Sequence, residues 1–227
     1  METLLQINKS LNSRKGFFIS FEGGEGVGKT TQSNLLSKSL KSIKEKYIIT
    51  REPGGTKESE IIRDLIVNNK YKDFLPETEL LLIYAARHEH VKKLLIPGLK
   101  KNNVICDRFI HSTICYQIIM NKISIKKFKF LHKEFAYNLF PNISFFLNLN
   151  SKEGVKRSLS SKKTEIKYEK KENRFHEKIR LEFEKLSTKD QKLINVDADN
   201  SIENIHKNII DILNKKKFFK KKLPYSI

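Results

Sequence analysis

The chain has 227 residues, enough for one α/β domain with a full apolar core, and its formal net charge is +19. Its apolar runs are shorter than the roughly 18 residues of a membrane-spanning helix, and its N-terminus lacks the continuous apolar region of a secretory signal. Cys106 and Cys115 lie in apolar stretches, so we expect buried thiols in a reducing, cytoplasmic compartment rather than a disulfide.

The strong positive charge has two interpretations. It could serve a nucleic-acid or anionic-membrane partner. Alternatively it reflects a bias towards lysine that extends over the whole chain, and the even distribution favours this second interpretation. The exception is the dense run "KKKFFKKK" at 215–222, although terminal runs of this kind are typically solvated and frayed. We therefore expect neither a membrane partner nor a specific nucleic-acid partner.

Short β-rich runs alternate with helical patterns along the chain. This alternation predicts an α/β fold with a parallel sheet, helices on both faces, and ligands at the carboxyl ends of the strands. The predicted strands are 17–22, 47–50, 103–107, 143–149 and 193–196. The predicted helices are 29–44, 58–68, a long helix that begins at Pro76 and adjusts near Pro97, 112–121, 125–139, 151–160, 175–186 and 201–214. Segment 161–173 is too charged to be buried, so we expect it to be exposed and mobile.

The first predicted strand runs into "FEGGEGVGKTTQ" at 21–32, which matches the phosphate-binding pattern G-x-x-x-x-G-K-S/T. Its glycines allow backbone N–H groups to point at phosphate oxygens, and the following helix adds its positive N-terminal end. Lys29 is expected to reach the β- and γ-phosphates, and the Thr30 hydroxyl to bind Mg²⁺, with Asp107 as a second candidate ligand. Glu25 is a carboxylate in the middle of this anion-binding loop.

Three kinds of nucleotide-dependent protein carry such a loop. A GTPase needs an N-K-x-D motif with its aspartate and a D-x-x-G switch, and neither occurs. A motor ATPase is usually longer and carries its acid on a longer apolar strand than "VICD". Arg108 follows Asp107 directly, which suits a second anionic substrate and favours a small-molecule kinase.

Four arginines fall where that second substrate is expected, in a chain that otherwise uses lysine. They are Arg51, Arg63, Arg87 and Arg108. The planar guanidinium fork binds phosphate and base edges in ways that a lysine cannot. Ordinary ion pairing on helix surfaces explains Arg63 or Arg87 singly but explains the whole set poorly.

The segments "FEGGEGVGKTTQ", "TREPGGT", "IIRDLI", "YAAR", "CDRF" and "STICYQ", in this order, resemble the thymidylate kinase family of the bacterial type over about residues 17–213. The resemblance implies a three-layer P-loop kinase fold with five parallel strands and a mobile lid at about 161–173. It implies a homodimer that transfers a phosphoryl group from ATP, with Mg²⁺, to dTMP. We divide the chain into an N-terminal extension (1–15), a kinase domain (16–214) and a basic C-terminal tail (215–227).

The resemblance also implies residue roles. The ATP-binding set is Gly23, Gly24, Glu25, Gly26, Val27, Gly28, Lys29, Thr30 and Thr31, with Arg157 stacking on adenine. The dTMP-binding set is Glu25, Glu52, Pro53, Arg63, Ile83, Arg87, Arg108, Ser112, Thr113, Tyr116 and Gln117. The catalytic set is Glu25, Lys29, Arg108, Lys163 and Lys167, and the metal ligands are Thr30 and Asp107.

The chain departs from the family pattern at three places. Ile83 stands where a phenylalanine usually stacks on thymine, Ile118 replaces a usual glycine, and the lid carries lysines in place of arginines. Another nucleoside monophosphate kinase or a deoxynucleoside kinase remains the alternative enzyme, and an ATP-controlled nucleic-acid-binding protein the alternative of another class.

Overall fold

The computed structural model of the protein describes residues 15–67, 74–160 and 172–226. Within these residues the chain forms one five-stranded sheet whose neighbouring strands are all parallel, in the order β2-β3-β1-β4-β5. The predicted α/β fold and its five strands are confirmed. The strands are β1 (Phe18–Glu22), β2 (Tyr47–Arg51), β3 (Asn103–Asp107), β4 (Ile143–Asn148) and β5 (Leu193–Asp197).

Helices connect the strands and cover both faces of the sheet. They are α1 (Lys29–Ser42), α2 (Lys57–Val67), α3 (Pro76–His90), α4 (Ile96–Leu99), α5 (Ile110–Thr113), α6 (Ile125–Ala136), α7 (Ser151–Ser160), α8 (Asn173–Ser187) and α9 (Ile202–Lys215). Two π-helical segments, Val91–Leu95 and Ile114–Ile119, continue α3 and α5 respectively.

The adjustment expected near Pro97 occupies the turn before it. Pro97 has no amide hydrogen to continue an α-helical ladder. The preceding N–H, of Ile96, bonds the Val91 carbonyl five residues back, which is the π-helical pattern. The helix predicted over 112–121 begins earlier, at Ile110, and its second half is the π-helical segment.

The strand that leads into the phosphate loop, β1, lies in the middle of the sheet, and all five of its residues are buried. Ile19 and Phe21 pack on the face covered by α1 and α9, where Leu40 and Ile209 are also buried. Phe18 packs on the opposite face, with α3, α4 and α6. Both faces are therefore closed, and the C-terminal edge of the strands carries the loops with the candidate site residues.

The chain after α9 corrects the expectation of a frayed end. The rings of Phe218 and Phe219 lie 4.9 and 5.4 Å from the ring of Phe17. Leu223 is buried, and its N–H and carbonyl both bond the side chain of Asn214. The apolar residues hold the segment on the core, while its lysines stay exposed.

Among the described residues, no helix has the length and apolar character needed to cross a bilayer. The predicted lid, 161–173, lies outside these residues except for its last two positions, which open α8.

Candidate active site

The phosphate loop connects β1 to α1 and depends on glycine at definite positions. Gly26 has φ +65°, and a Cβ there would lie 1.9 Å from the carbonyl oxygen of Gly154 on α7. At Gly23, with φ +132°, a Cβ would lie 2.8 Å from the Leu147 carbonyl oxygen. Gly28 caps α1 at φ +94°. The tight turn and the close approach of α7 both exclude a side chain.

Lys29 and Arg108 bring two positive charges to this loop. Lys29 is buried, and its ammonium donates to the Gly24 carbonyl at 2.5 Å. Arg108 Nη1 donates to the Gly23 carbonyl at 2.7 Å. The two cations meet the same short stretch of backbone, so the loop joins the predicted ATP side to the predicted acceptor side.

Glu25 is the anionic partner of that arginine. Arg108 Nη2 donates to Glu25 Oε1 at 2.6 Å, and the Tyr116 hydroxyl donates to the same oxygen at 3.2 Å. Burial opposes ionisation of Glu25, but the charges of Arg108 and Lys29 and the hydrogen bonds outweigh it and hold the pKa of the carboxyl at about 2. Glu25 is therefore a carboxylate at neutral pH and accepts hydrogen bonds.

Arg108 itself has an unusual backbone, with φ +67° for a non-glycine residue. Its guanidinium carbon lies 5.2 Å from the centre of the Tyr116 ring. Burial lowers the pKa of Arg108, while Glu25 and further anions nearby raise it more, so the net shift is upwards. The strained backbone is held by the contacts that position this side chain.

Thr30 and Asp107, the two candidate metal ligands, lie together. The Thr30 hydroxyl donates to Asp107 Oδ2 at 2.8 Å. Both groups offer hard oxygen atoms, and few protein ligands are typical for Mg²⁺ at a triphosphate. Among the described residues no cluster of three or more histidine, cysteine or acidic side chains could hold a metal. The two residues fit Mg²⁺ shared with a nucleotide.

Glu52, Arg87 and Thr113 form a second, buried cluster. Arg87 is 2% exposed and donates through Nε to Glu52 Oε2 at 2.8 Å and through Nη2 to Thr113 Oγ1 at 2.9 Å. Its guanidinium lies over the rings of Tyr84 and Phe109, at 5.0 and 4.8 Å. Within the described chain, Arg87 Nη1 is buried without a hydrogen-bond partner.

The charges of this cluster are held in the core. Burial raises the pKa of Glu52, but Arg87 and His90 lower it more. Burial lowers the pKa of Arg87, and Glu52 raises it more. Both groups therefore stay ionised, and breaking the pair would leave one buried charge without compensation.

The remaining predicted acceptor residues surround these two clusters. Arg63 Nη1 donates to the Pro53 carbonyl at 2.6 Å, which places α2 against the turn after β2. Gln117 donates to Glu79 Oε1 at 2.9 Å. Ile83 is buried one helical turn before Arg87 on α3.

The other predicted site residues differ in how they relate to these two clusters. Ser112 donates to Glu22 and accepts from Arg108 Nη1 at 3.3 Å. Arg157, on α7, makes an exposed ion pair with Glu153 and touches neither cluster in the contacts described. Val27 is buried in the loop, and Thr31 is exposed on α1. Lys163 and Lys167 lie outside the described residues.

Sequence reasoning missed Glu22, the last residue of β1. This carboxylate is fully buried and accepts from the N–H of Phe109 at 3.0 Å and from the N–H and hydroxyl of Ser112 at 3.1 and 2.6 Å. Burial raises the pKa of Glu22, but His111 and Ser112 lower it by more, so the net shift of this pKa is downwards. Glu22 thus fixes the chain that follows Arg108, at Phe109 and Ser112. The available signal was a lone acid ending an otherwise buried strand.

His111 and His90 were also missed. His111 Nδ1 lies 3.6 Å from Glu22 Oε1, and its Nε2 lies 3.1 Å from Asp190 Oδ2. Burial lowers the pKa of His111, but Asp190 and Glu22 raise it, to about 9 overall. His90 links Thr50 and Glu52, at 2.7 and 2.9 Å. Each histidine supports a carboxylate that in turn positions a site arginine.

Known proteins resemble this chain over most of its length. The family model for thymidylate kinase matches residues 21–209. A thymidylate kinase of Onion yellows phytoplasma (strain OY-M) is 41% identical over 198 residues, covering 86% of this chain and 94% of that protein. One from Orientia tsutsugamushi (strain Ikeda) is 37% identical over 212 residues, covering 90% and 96%.

A solved structure gives the same result. The crystal structure of thymidylate kinase from Ehrlichia chaffeensis superposes with a TM-score of 0.69 at 31% identity, and the match covers 87% of this chain and 98% of that one. The expected resemblance is therefore confirmed in sequence and in fold. The chain belongs to the thymidylate kinase family.

Proposed function

We propose that this enzyme, which phosphorylates dTMP to dTDP with ATP, holds its two nucleotides on opposite sides of the loop Gly23–Thr31. The observation that carries the proposal is the 2.6 Å contact between Glu25 in the phosphate loop and Arg108 after β3. This contact links the phosphate loop to Arg108, one of the arginines of the proposed acceptor site. Arg63 and Arg108 bind the dTMP phosphate, and Glu25 lies by the sugar hydroxyl.

The chemistry needs positioning more than acid–base catalysis. The attacking oxygen belongs to a phosphate that is already ionised near neutral pH, so no strong general base is required. Two polyanions must instead meet in line while charge develops on the transferring group. Lys29 and Arg108 supply positive charge from the loop side, and the lysines Lys163 and Lys167 of the proposed lid supply it from the other.

Thr30 and Asp107 would hold Mg²⁺, which would neutralise phosphate charge when bound with ATP. The 2.8 Å contact between the two side chains supports this proposal, because it brings their oxygens next to each other at the N-terminus of α1. Arg157 stacks on adenine, and its helix α7 abuts the loop through Gly154.

The thymine base is read by the second cluster. Arg87 Nη1 is the donor left for a thymine carbonyl once Glu52 and Thr113 have taken Nε and Nη2. Thr113, Gln117 and the side chain of Ile83 complete the pocket. Because Ile83 offers aliphatic contact in place of a ring, selectivity for thymine depends mainly on the hydrogen bonds.

We also propose a homodimer in the cytoplasm. On α3, Leu81, Ala85 and His88 recur at helical spacing, and the first two are exposed. Phe135 of α6, 42% exposed, contacts the His88 ring and extends this apolar stripe. A Leu81→Glu variant is expected to sediment as a monomer, whereas an unchanged sedimentation coefficient would place the interface elsewhere.

A coupled ATP-consumption assay with dTMP, dUMP, dCMP and thymidine tests the activity and its specificity. We expect dTMP to give the highest kcat/KM and thymidine, which lacks the phosphate, to be inert. A Glu25→Gln variant should keep its affinity for ATP and lose turnover of dTMP. Phosphorylation of thymidine, or a preference for dCMP, would favour one of the alternative kinases.

A further inference from the structure

The N-terminal edge of the sheet, opposite the active site, carries a concentration of lysines. Because the strands are all parallel, the loops that enter them meet at one edge, and the segment after α9 reaches the same edge through the contacts of Phe218 and Phe219 with Phe17. We call these residues the basic edge. Its exposed lysines are Lys15, Lys44, Lys46, Lys100, Lys101, Lys189, Lys192, Lys215, Lys216, Lys217, Lys220, Lys221 and Lys222.

Carboxylates are scarce at the basic edge. The acids in its described segments or bonded to them are Glu45, which accepts from Asn103, Asp190, which accepts from His111, and Asp211, which accepts from Tyr225. More than half of the formal net charge of +19 therefore lies at this one end of the molecule. Lysines that are dispersed along the sequence are thus brought together by the fold at this edge.

The lysines of the C-terminal segment are presented from a fixed backbone. Phe218 and Phe219 pack on the core, Leu223 is buried and bonded to Asn214, and the Tyr225 hydroxyl donates to Asp211 at 2.6 Å. Ordering a residue from a flexible chain costs backbone entropy. Folding has already met that cost here, so a polyanion would gain the charge contacts without ordering the segment.

We propose that the basic edge binds the phosphate backbone of duplex nucleic acid without regard to sequence. Five strands spaced about 4.8 Å apart make an edge about 19 Å wide. Along that distance a duplex presents roughly eleven phosphates, at one charge per 1.7 Å of axis. Lysine ammonium groups contact phosphates as point charges and fix no base identity.

The aromatic side chains of this edge favour a duplex over a membrane or a single strand. Phe17, Phe218 and Phe219 pack on one another, and Phe140 lies 4.6 Å from the ring of His132. Firm attachment to a bilayer combines charge with inserted apolar groups, and binding of single strands combines charge with rings on which bases stack. Here Phe17, Phe218 and Phe219 are partly buried against the core, whereas Phe140 and Tyr225 stay 40% and 48% exposed, so exposed rings are far fewer than exposed lysines.

The test uses fluorescence anisotropy with a labelled DNA duplex of arbitrary sequence over a range of KCl concentrations. In the edge variant, the six lysines of "KKKFFKKK" are changed to glutamine, and Phe218, Phe219 and Leu223 are kept. A matched variant loses the same charge elsewhere on the surface, at Lys57, Lys92, Lys126, Lys129, Lys152 and Lys178.

We expect the edge variant to bind the duplex at least tenfold more weakly than the native chain, with the matched variant close to native. The slope of log affinity against log salt should fall by up to about five, since each phosphate contact contributes about 0.9. Kinase activity should be unchanged in the edge variant, which also shows that it folds. A second duplex of unrelated sequence should bind equally.

Three outcomes would overturn the proposal. They are equal weakening in both variants, no measurable binding of the native chain at low salt, and tighter binding to phosphatidylserine-containing vesicles than to the duplex. The last would assign the basic edge to a membrane surface. None of these three outcomes bears on the proposed kinase function, because no basic-edge residue belongs to the active site.

Discussion

The buried histidine His111 should make stability depend on pH in a definite window. Burial lowers its pKa, yet Asp190 and Glu22 raise it to about 9 from the usual 6.5. Protonated His111 therefore stabilises the folded chain fully below pH 6.5. The contribution declines as pH rises from 6.5 to 9 and is lost above 9.

The size of the effect follows from the same values. A tenfold difference in proton affinity between the folded and unfolded chains is worth about 1.4 kcal/mol. The rise in the pKa of His111 from 6.5 to about 9 therefore sets an upper limit of about 3 kcal/mol on its contribution to the free energy of unfolding. The side chain of Asp190 is 38% exposed, so solvent weakens its share. We expect the free energy of unfolding to fall by about 2 to 3 kcal/mol through His111 between pH 6.5 and 9.

The measurement is urea unfolding of the native chain, a His111→Gln variant and a His88→Gln control at half-unit steps of pH. The difference between native and His111→Gln stabilities should be largest near pH 6 and shrink towards pH 9. The stability of the control should change with pH in parallel with that of the native chain, even if its absolute value differs. Parallel curves for the native chain and His111→Gln over this window would refute the assignment of a charged, buried histidine.

Three further predictions rest on separate contacts. Glu52→Gln should destabilise the chain by about 3–5 kcal/mol, as when one partner of a buried ion pair is removed. It should also raise KM for dTMP more than KM for ATP. A loss of stability below about 1 kcal/mol, measured by urea unfolding, would mean that Arg87 is not held by this carboxylate. Gly154→Ala places a methyl group 2.5 Å from the Glu25 carbonyl oxygen, so Tm should fall and KM for ATP should rise. In the control variant Gly24→Ala, the new methyl group meets only a side-chain methyl at 3.8 Å, so Tm should stay nearly unchanged. Burial lowers the pKa of His132 to about 3, so His132→Phe should reduce the loss of stability below pH 6.5, measured by urea unfolding, and an unchanged acid limb would contradict it.

Local patterns were enough for the elements that depend on neighbouring residues. The strand–glycine loop–helix unit around Lys29 follows from β-rich residues, turn glycines and helical spacing within a short stretch. Arg87 could be anticipated because arginine was unusual in this composition and the parallel sheet gathers strand ends, whereas Glu52 and Thr113 were expected at the site only from the family resemblance. The structure brings the three side chains into direct contact.

The features that were missed depend on residues far apart in the chain. Ser112 and its partner Glu22 are separated by 90 positions, and His111 and Asp190 by 79. No local periodicity reports such pairs. The packing of the C-terminal segment likewise depends on Phe17, at the other end of the described chain. A π-helical turn differs from an α-helical one by a single hydrogen-bond step, so its apolar spacing gave no warning.

The guanidinium contacts in the core also set a limit on how this sequence can change. A lysine ammonium donates from one atom, whereas Arg87 reaches Glu52 and Thr113 from two nitrogens, and Arg108 reaches Glu25 and the Gly23 carbonyl from two more. Replacement of either arginine by lysine would leave a carboxylate or a carbonyl short of a donor. Among close relatives whose exposed positions accept lysine freely, Arg87 and Arg108 should therefore not be replaced by lysine, and Glu52 should vary only together with Arg87.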